Sequence, residues 1–194
     1  MRMIKLFVVG IVLTSAAAVT GCATSLTMVD KQGNNMVGAD NVVTLVNLHP
    51  DTSKHMRFTA INWQMPMLMP MCTEVTILEA NSKKATILDK KSGVTYTYFN
   101  HKSNKEPFEM HLQKYFGTSC DKAKVAKMSQ VDRKGIKDGR IYKGMTKQGV
   151  IYAAGYPPMH VTPTTDMDRW QYWKNRWDTL VVNFSGGKVS SIVD

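Results

Sequence analysis

The stretch EVTILEANSKKATILDKKSGVTYTYF, residues 74–99, decides the fold of the first half of this chain. It contains three runs rich in β-branched and aromatic residues, Glu74–Leu78, Ala85–Leu88 and Val94–Phe99. Polar, turn-forming residues such as Gly93 separate these runs. The pattern therefore predicts three consecutive strands joined by short turns.

Two more strand-like runs precede this stretch. Val42–Val46 is rich in β-branched residues, and Met56–Trp63 loosely alternates between apolar and polar side chains. Five short strands at this spacing, with turn residues between them, favour a small barrel or sandwich. We predict a β-rich domain over residues 41–104, and its specific form is expected to be a small SH3-like barrel.

The pattern becomes helical over residues 105–136. Pro107 lies near the start of an amphipathic run, Glu106–Phe116, and Gly117 follows it as a terminator. A second helix is expected over Ser119–Met128. We predict that this segment is a helical linker between two domains.

Residues 137–194 predict a helix packed on an antiparallel sheet. Thr146 is expected to cap a short helix, Lys147–Ala154, which ends at Gly155. Three strands are predicted after it, over Arg169–Lys174, Asp178–Phe184 and Lys188–Val193. A two-glycine hairpin turn at 185–187 joins the last two strands. The whole chain is therefore predicted to be α+β.

The N-terminus has the features of a secretory signal. Arg2 and Lys5 precede an uncharged, mostly apolar stretch, Leu6–Val19, and small residues lead from there to Cys22. The stretch is shorter than the roughly 20 apolar residues that a membrane-spanning helix needs. We therefore predict a signal peptide over residues 1–21.

Val19-Thr20-Gly21-Cys22 resembles the lipobox of bacterial lipoproteins. The resemblance implies that Cys22 carries a lipid, and that Ala23 beside it directs the protein to the periplasmic side of the cell outer membrane. The alternative is an ordinary secretory signal that ends at a cysteine. The polar, glycine-containing residues 22–40 are predicted to form a tether between the lipid and the folded part.

The chain is basic, with a formal net charge of +10, or +8 without Arg2 and Lys5 of the expected signal. A positive charge of this size suits anionic phospholipid or acidic partners in the envelope, and a merely soluble basic surface is an equally good interpretation. The export signal argues against nucleic acid as the partner.

Two cysteines remain after Cys22, namely Cys72 and Cys120. In an oxidising compartment such a pair can form a disulfide, and the alternative is two separately buried thiols. The sequence leaves the two interpretations open.

Catalytic and metal-binding motifs are absent from the sequence. It has no GxSxG or HExxH spacing and no phosphate-binding glycine loop. We therefore expect a binding protein without a cofactor rather than an enzyme. The exception is the segment 65–71, whose four methionines precede Cys72 and offer soft ligands for Cu(I); the alternative is an apolar segment that uses methionine as adaptable filler.

The best candidate for a binding surface is the aromatic and basic run 169–177. Alternation along a strand places Trp170 and Tyr172 on one face, where we expect them to be core. Trp173, Arg176 and Trp177 are the expected partner-binding residues, because Trp and Arg are enriched in interfaces. The alternative for Trp173 is packing on the N-terminal barrel.

The C-terminal third also carries a family likeness. Four motifs occur in order: Gly144-Met145-Thr146-Lys147, Gly155-Tyr156-Pro157-Pro158, Trp170-Gln171-Tyr172-Trp173 and Asn183-Phe184-Ser185-Gly186-Gly187-Lys188-Val189. Residues 137–194 thereby resemble the SmpA/OmlA (BamE-like) lipoproteins, a family that includes the small lipoprotein of the β-barrel assembly machine. The resemblance implies structural roles for eight residues: Gly144, Met145, Thr146, Gly155, Pro157, Trp170, Tyr172 and Phe184. The family's typical small member lacks the β-rich region over 42–99.

Together these features predict an outer-membrane-anchored, non-catalytic lipoprotein that acts in envelope assembly or integrity. The expected partner is an envelope protein, and the resemblance points to the β-barrel assembly machine. Two alternatives stand beside this prediction: binding of peptidoglycan through the SH3-like domain, and copper handling.

Overall fold

The computed structural model describes residues 25–53 and 56–194, which form an α+β fold. The predicted signal peptide and Cys22 lie outside the described residues. The strands of these described residues are β1 (Val42–Thr44), β2 (Arg57–Thr59), β3 (Glu74–Ala80), β4 (Lys84–Asp89), β5 (Thr95–Phe99), β6 (Phe116–Gly117), β7 (Arg169–Trp173), β8 (Thr179–Ser185) and β9 (Lys188–Val193). Their helices are α1 (Phe108–Leu112), α2 (Lys122–Ala126), α3 (Gln130–Asp138) and α4 (Lys147–Ala154).

The first six strands form one sheet that curls into a half-barrel, in the order β2-β5-β4-β3-β1-β6. Strands β3, β4 and β5 make the two hairpins predicted from residues 74–99. Their alternate residues, such as Val75, Ile77 and Ile87, are buried inside the curl. Strand β2 pairs with β5 in parallel, whereas the other pairs are antiparallel.

The last three strands form a second, antiparallel sheet in the order β7-β8-β9. Gly186 and Gly187 both have positive φ, 57° and 73°, as a tight two-residue hairpin between β8 and β9 requires. Helix α4 begins at the predicted cap, where the Thr146 hydroxyl accepts a hydrogen bond from the N–H of Gly149 at 3.0 Å. It ends at Gly155, the predicted terminator.

The predicted helical linker, residues 105–136, packs into the same core as the rest of the described chain. Phe116 and Gly117 pair with β1 and add the sixth strand to the half-barrel. Phe108 and Leu112 of α1 are buried, and helix α3 packs against α4. One hydrophobic core runs from Met28 to Val189, so it does not divide at the predicted boundary near residue 136.

The prediction of a tether over residues 22–40 is wrong for the residues that the structure describes from 25 onwards. Met28 and Met36 are completely buried, and the N–H of Met36 donates to the carbonyl of Met28 at 2.7 Å. Asp30 accepts hydrogen bonds from the backbone N–H groups of Gln32 and Asn34 and so closes the loop between the two methionines. Burying two large apolar side chains offsets the entropy of ordering a polar segment.

Asp132 joins the N-termini of α3 and α4. Its Oδ1 accepts a hydrogen bond from the backbone N–H of Thr146 at 2.8 Å, and its carboxylate also accepts one from the hydroxyl of Ser129, the cap of α3, at 2.7 Å. Gly149 makes this approach possible, because a Cβ there would lie 2.0 Å from Asp132 Oδ1. Glycine lowers the stability of an isolated helix, but position 149 requires it because only a residue without a Cβ leaves room for Asp132.

Two histidines are buried in the core. His111 Nδ1 lies 3.0 Å from Oε1 of Glu106, and its Nε2 lies 3.0 Å from the hydroxyl of Tyr98. Both ring nitrogens of His49 face backbone carbonyl oxygens, at 3.0 and 3.3 Å. Burial lowers the pKa of both imidazoles below the ordinary value of 6.5.

We expect the free energy of unfolding to fall as the pH is lowered below 6.5, the ordinary histidine pKa. Unfolded His49 and His111 then bind protons that the folded protein does not, and each contributes a loss of up to about 1.4 kcal/mol per pH unit. Urea unfolding between about pH 7.5 and 5.5 measures the slope. A stability that stays constant or rises on acidification contradicts the prediction, and His49→Gln is expected to reduce the slope.

Candidate binding cleft

The predicted binding residues lie in an open cleft of about 650 Å³ between the two sheets, which we call the aromatic cleft. Its lining residues come from the β1–β2 connection, the segment after β2, the segments around residues 101 and 160, and the β7–β8 hairpin. They are Asp51, Ser53, Arg57, Ile61, Trp63, Met65, His101, Ser103, His160, Trp173, Asn175, Arg176 and Trp177.

Two tryptophans of the aromatic cleft, one from each half of the chain, pair through their backbones. Trp63 and Trp173 form an isolated parallel β-bridge, and the N–H of Gln64 donates to the carbonyl of Trp173 at 2.8 Å. The imidazole of His160 lies parallel to the indole of Trp173, with 6.2 Å between the ring centroids. Trp173 therefore packs on the N-terminal half and also lines the cleft, which combines the two interpretations of this residue.

The β7–β8 hairpin places Trp177 at the rim, where 78% of its surface is exposed. The guanidinium of Arg176 lies 4.8 Å from the centroid of the Trp177 ring, a cation–π arrangement. The side chain of Asn175 fixes the turn by accepting hydrogen bonds from the N–H groups of Trp177 and Asp178 at 2.8 and 3.0 Å. A large exposed aromatic side chain is thus held on an ordered turn.

The opposite wall of the aromatic cleft is charged but internally paired. Arg57 lies 5.9 Å from the ring centroid of Trp63 and donates to Oδ2 of Asp51 through Nε and Nη2, at 3.1 and 3.0 Å. Burial raises the pKa of Asp51, but hydrogen bonds from Ser53 and Arg57 outweigh it and lower the pKa overall. Among the described lining residues, Arg176 carries a charge that no ion pair neutralises.

The imidazoles of the cleft are shifted towards their neutral form. Burial lowers the pKa of His160, and the neighbouring His101 and Lys105 lower it further. The pKa of His101 is likewise lowered by burial and by Lys102. Neutral imidazoles beside indole rings favour apolar and hydrogen-bonded contacts with a partner.

Among residues 25–53 and 56–194, the hydrogen bonds of the cleft do not join a nucleophile to a base. The hydroxyl of Ser53 donates to Asp51 at 2.6 Å, and no hydrogen bond joins it to His101 or His160 among the described residues. No group of three or more His, Cys, Asp or Glu side chains suited to a metal ion occurs within residues 25–53 and 56–194.

The structure joins Cys72 and Cys120 in a disulfide, with 5.4 Å between their Cα atoms. Cys72 therefore has no thiolate to offer as a metal ligand beside the methionines. Within the methionine segment, Met69 is buried in the hydrophobic core while Met67 is 44% exposed. One of these methionines lies in the core and the other at the surface, which is the distribution expected if methionine only fills space.

The eight family-motif residues come together around α4 and the second sheet. Trp170 and Tyr172 are completely buried, Trp170 packs on Phe184 with 4.6 Å between ring centroids, and the Tyr172 hydroxyl donates to the carbonyl of Gly155 at 3.0 Å. Met145 and Pro157 are also buried. The remaining two, Gly144 and Thr146, position the helix against β9, where the N–H of Gly144 donates to the carbonyl of Val189.

Several cleft residues were not predicted from the sequence. Trp63, His160, Arg57 and His101 are separated along the chain, and no local pattern indicates that they meet. Of these residues, Trp63 lies at the end of a predicted strand, and this position alone hinted that it could line a site. Their proximity is produced by the pairing of Trp63 with Trp173 across the two sheets.

Comparison with known proteins finds no significant match: no family model, no curated protein and no solved structure is similar to this chain. Within the part of the chain that the structure describes, no helix is long and apolar enough to cross a membrane.

Proposed function

We propose that this protein is a lipid-anchored, non-catalytic binding module on the periplasmic side of the outer membrane, and that it holds an envelope protein through the aromatic cleft. The observation that carries the proposal is the rim of the cleft, where Trp177 is 78% exposed beside Arg176 and lines the same cleft as Trp173. Exposed Trp and Arg side chains on an ordered turn are the usual anchors of protein interfaces.

The finer fold assignment belongs to the same proposal. The half-barrel would be an SH3-like module and the α4–sheet unit an SmpA/OmlA-like module. The burial of Trp170, Tyr172 and Phe184 under α4 supports the second assignment, because the family motifs supply these residues. On this assignment the β-barrel assembly machine is the first partner to test.

The anchor is proposed from the lipobox-like residues that end at Cys22. Two acyl chains or more give stable membrane attachment, and the thiol of Cys22 is the attachment point that the pattern provides. A basic surface of net charge +8 would add attraction to anionic lipid headgroups.

We expect the protein to incorporate an alkyne-bearing palmitate analogue in cells and Cys22→Ala to abolish the label. Cys72→Ser with Cys120→Ser is the matched control, because a disulfide removes both thiols from acylation in the wild type. Label on the wild type that persists in Cys22→Ala, or a wild type without label, would contradict the anchor.

Peptidoglycan is the second candidate partner. The observation in its favour is the set of indole rings at the cleft, Trp63, Trp173 and Trp177, since aromatic faces pack well on the apolar faces of sugars. On this alternative the lipid holds the protein beside the cell wall, and the same cleft receives the glycan instead of a protein.

A further inference from the structure

A second concave site, which we call the polar pocket, lies at the β6 edge of the half-barrel. It encloses about 310 Å³ and shares no lining residue with the aromatic cleft. Its walls come from the 30–32 loop, the β6 strand, the start of α2 and the face of α4. This volume is at the lower end of the range for small-molecule sites.

The charges of the polar pocket balance. Lys31 and Lys124 line it together with Asp30 and Asp121. Hydrogen bonds from Asn34 and Thr118 lower the pKa of Asp30 to about 2, so this carboxylate stays ionised. The remaining lysine, Lys114, is paired with Glu106. A pocket with equal numbers of unpaired positive and negative groups has no net preference for an ion of either sign.

Four polar side chains among the described residues that line the pocket are free to bind a ligand. The side-chain amides of Gln113 and Gln148 and the hydroxyls of Ser119 and Tyr156 make no hydrogen bond to protein among the described residues. These four groups supply both donors and acceptors, which matches a ligand whose own groups do both. Hydroxyl groups of a sugar have that property.

Two phenol rings complete the site. Tyr152 and Tyr156 line it, and the ammonium groups of Lys124 and Lys114 lie 5.9 and 5.6 Å from their ring centroids. The Tyr152 hydroxyl donates to Asp121 at 3.1 Å, which fixes both groups on the wall. Aromatic rings beside amides and carboxylates provide apolar contact for the C–H groups of a sugar ring.

We propose that the polar pocket binds a neutral, hydroxyl-rich ligand of about the size of one sugar residue. The inference concerns a different surface from the aromatic cleft and does not rest on the proposed function. Gln148, half-buried in the first turn of α4, and Gln113, at the end of α1, hold the ligand's hydroxyl groups. A single sugar ring in such a site is expected to bind with a Kd on the order of 1 mM.

The test is a titration of the protein with N-acetylglucosamine, followed by amide chemical shifts in NMR spectra. We expect saturable shifts at the polar pocket and a loss of at least about tenfold in affinity for Gln148→Leu and for Gln113→Leu, since each removes one hydrogen-bonding amide. Gln130→Leu is the matched control, because Gln130 is an exposed glutamine of α3 outside the pocket lining. It is expected to leave the affinity unchanged.

A parallel titration with N-acetylmuramic acid distinguishes a neutral site from an anion site, because this sugar adds a carboxylate to the same ring. The proposal predicts that the neutral sugar binds at least as well as the acid. It is overturned if neither sugar gives saturable shifts, if only the acid binds, or if Gln148→Leu and Gln130→Leu bind equally. Cross-linking from the aromatic cleft is a separate measurement, so failure here leaves the proposed function in place.

Discussion

Replacing Cys72 and Cys120 together with serine is expected to lower the free energy of unfolding by about 4 kcal/mol. The disulfide closes a loop of sequence separation 48, and in the chain-entropy account a loop of that length restricts the unfolded chain by about this amount. The disulfide joins the segment just before β3 to the segment between β6 and α2. Urea unfolding of the oxidised wild type and of the double variant measures the difference.

Reduction provides the control for this experiment. A reducing agent should bring the wild type to the stability of the double variant and leave the variant unchanged. Equal stability of the oxidised wild type and the variant would contradict the prediction.

Gly149→Ala is expected to destabilise the wild type by about 2 to 4 kcal/mol although alanine favours helix. A Cβ at this position would lie 2.0 Å from Asp132 Oδ1, so this oxygen would be displaced and its buried hydrogen bond from the N–H of Thr146 would be lost. The measurement is the free energy of unfolding of the variant by urea or heat.

The double-mutant cycle makes the prediction sharper. In an Asp132→Ala background the carboxylate is gone and the closest remaining atom of that residue is its Cβ, 3.1 Å away, which a shift of a few tenths of an ångström relieves. Gly149→Ala should then stabilise by up to about 1 kcal/mol, the ordinary difference in helix propensity. The sign of the effect should therefore reverse. Destabilisation of the same size in both backgrounds would show that the contact with Asp132 is not the reason for glycine at this position.

Elements with local signals were predicted well from the sequence. Helix α4 has the predicted bounds, Lys147–Ala154, because a threonine cap and a terminating glycine lie directly beside it. The hairpins within residues 74–99 and the one at Gly186-Gly187 follow from β-branched runs and turn residues. In each case neighbouring residues alone determine the structure.

Elements that depend on distant partners were missed. Strand β6 has two residues, and Phe116 and Gly117 become a strand only because β1 lies beside them. Met28 and Met36 lie eight residues apart in a polar segment, so nothing nearby shows that both are core. The aromatic cleft likewise needs Trp63 beside Trp173, a long-range pairing that the sequence does not signal. Within the cleft, only Trp173, Arg176 and Trp177 were predicted.

The central proposal is that the aromatic cleft holds an envelope protein, and photo-cross-linking from the cleft in living cells tests it most directly. A photoreactive amino acid at Ser103 probes the lining without removing an aromatic residue. Leu78 is the matched position, since it is 49% exposed on β3 outside the cleft. The account predicts a defined protein adduct from position 103, none of that size from position 78, and at least about tenfold less adduct in a Trp177→Ala background. Adducts that sediment with detergent-washed sacculi would instead favour peptidoglycan as the partner. Equal amounts of adduct from positions 103 and 78 would contradict the proposal. So would an amount of adduct that Trp177→Ala does not change.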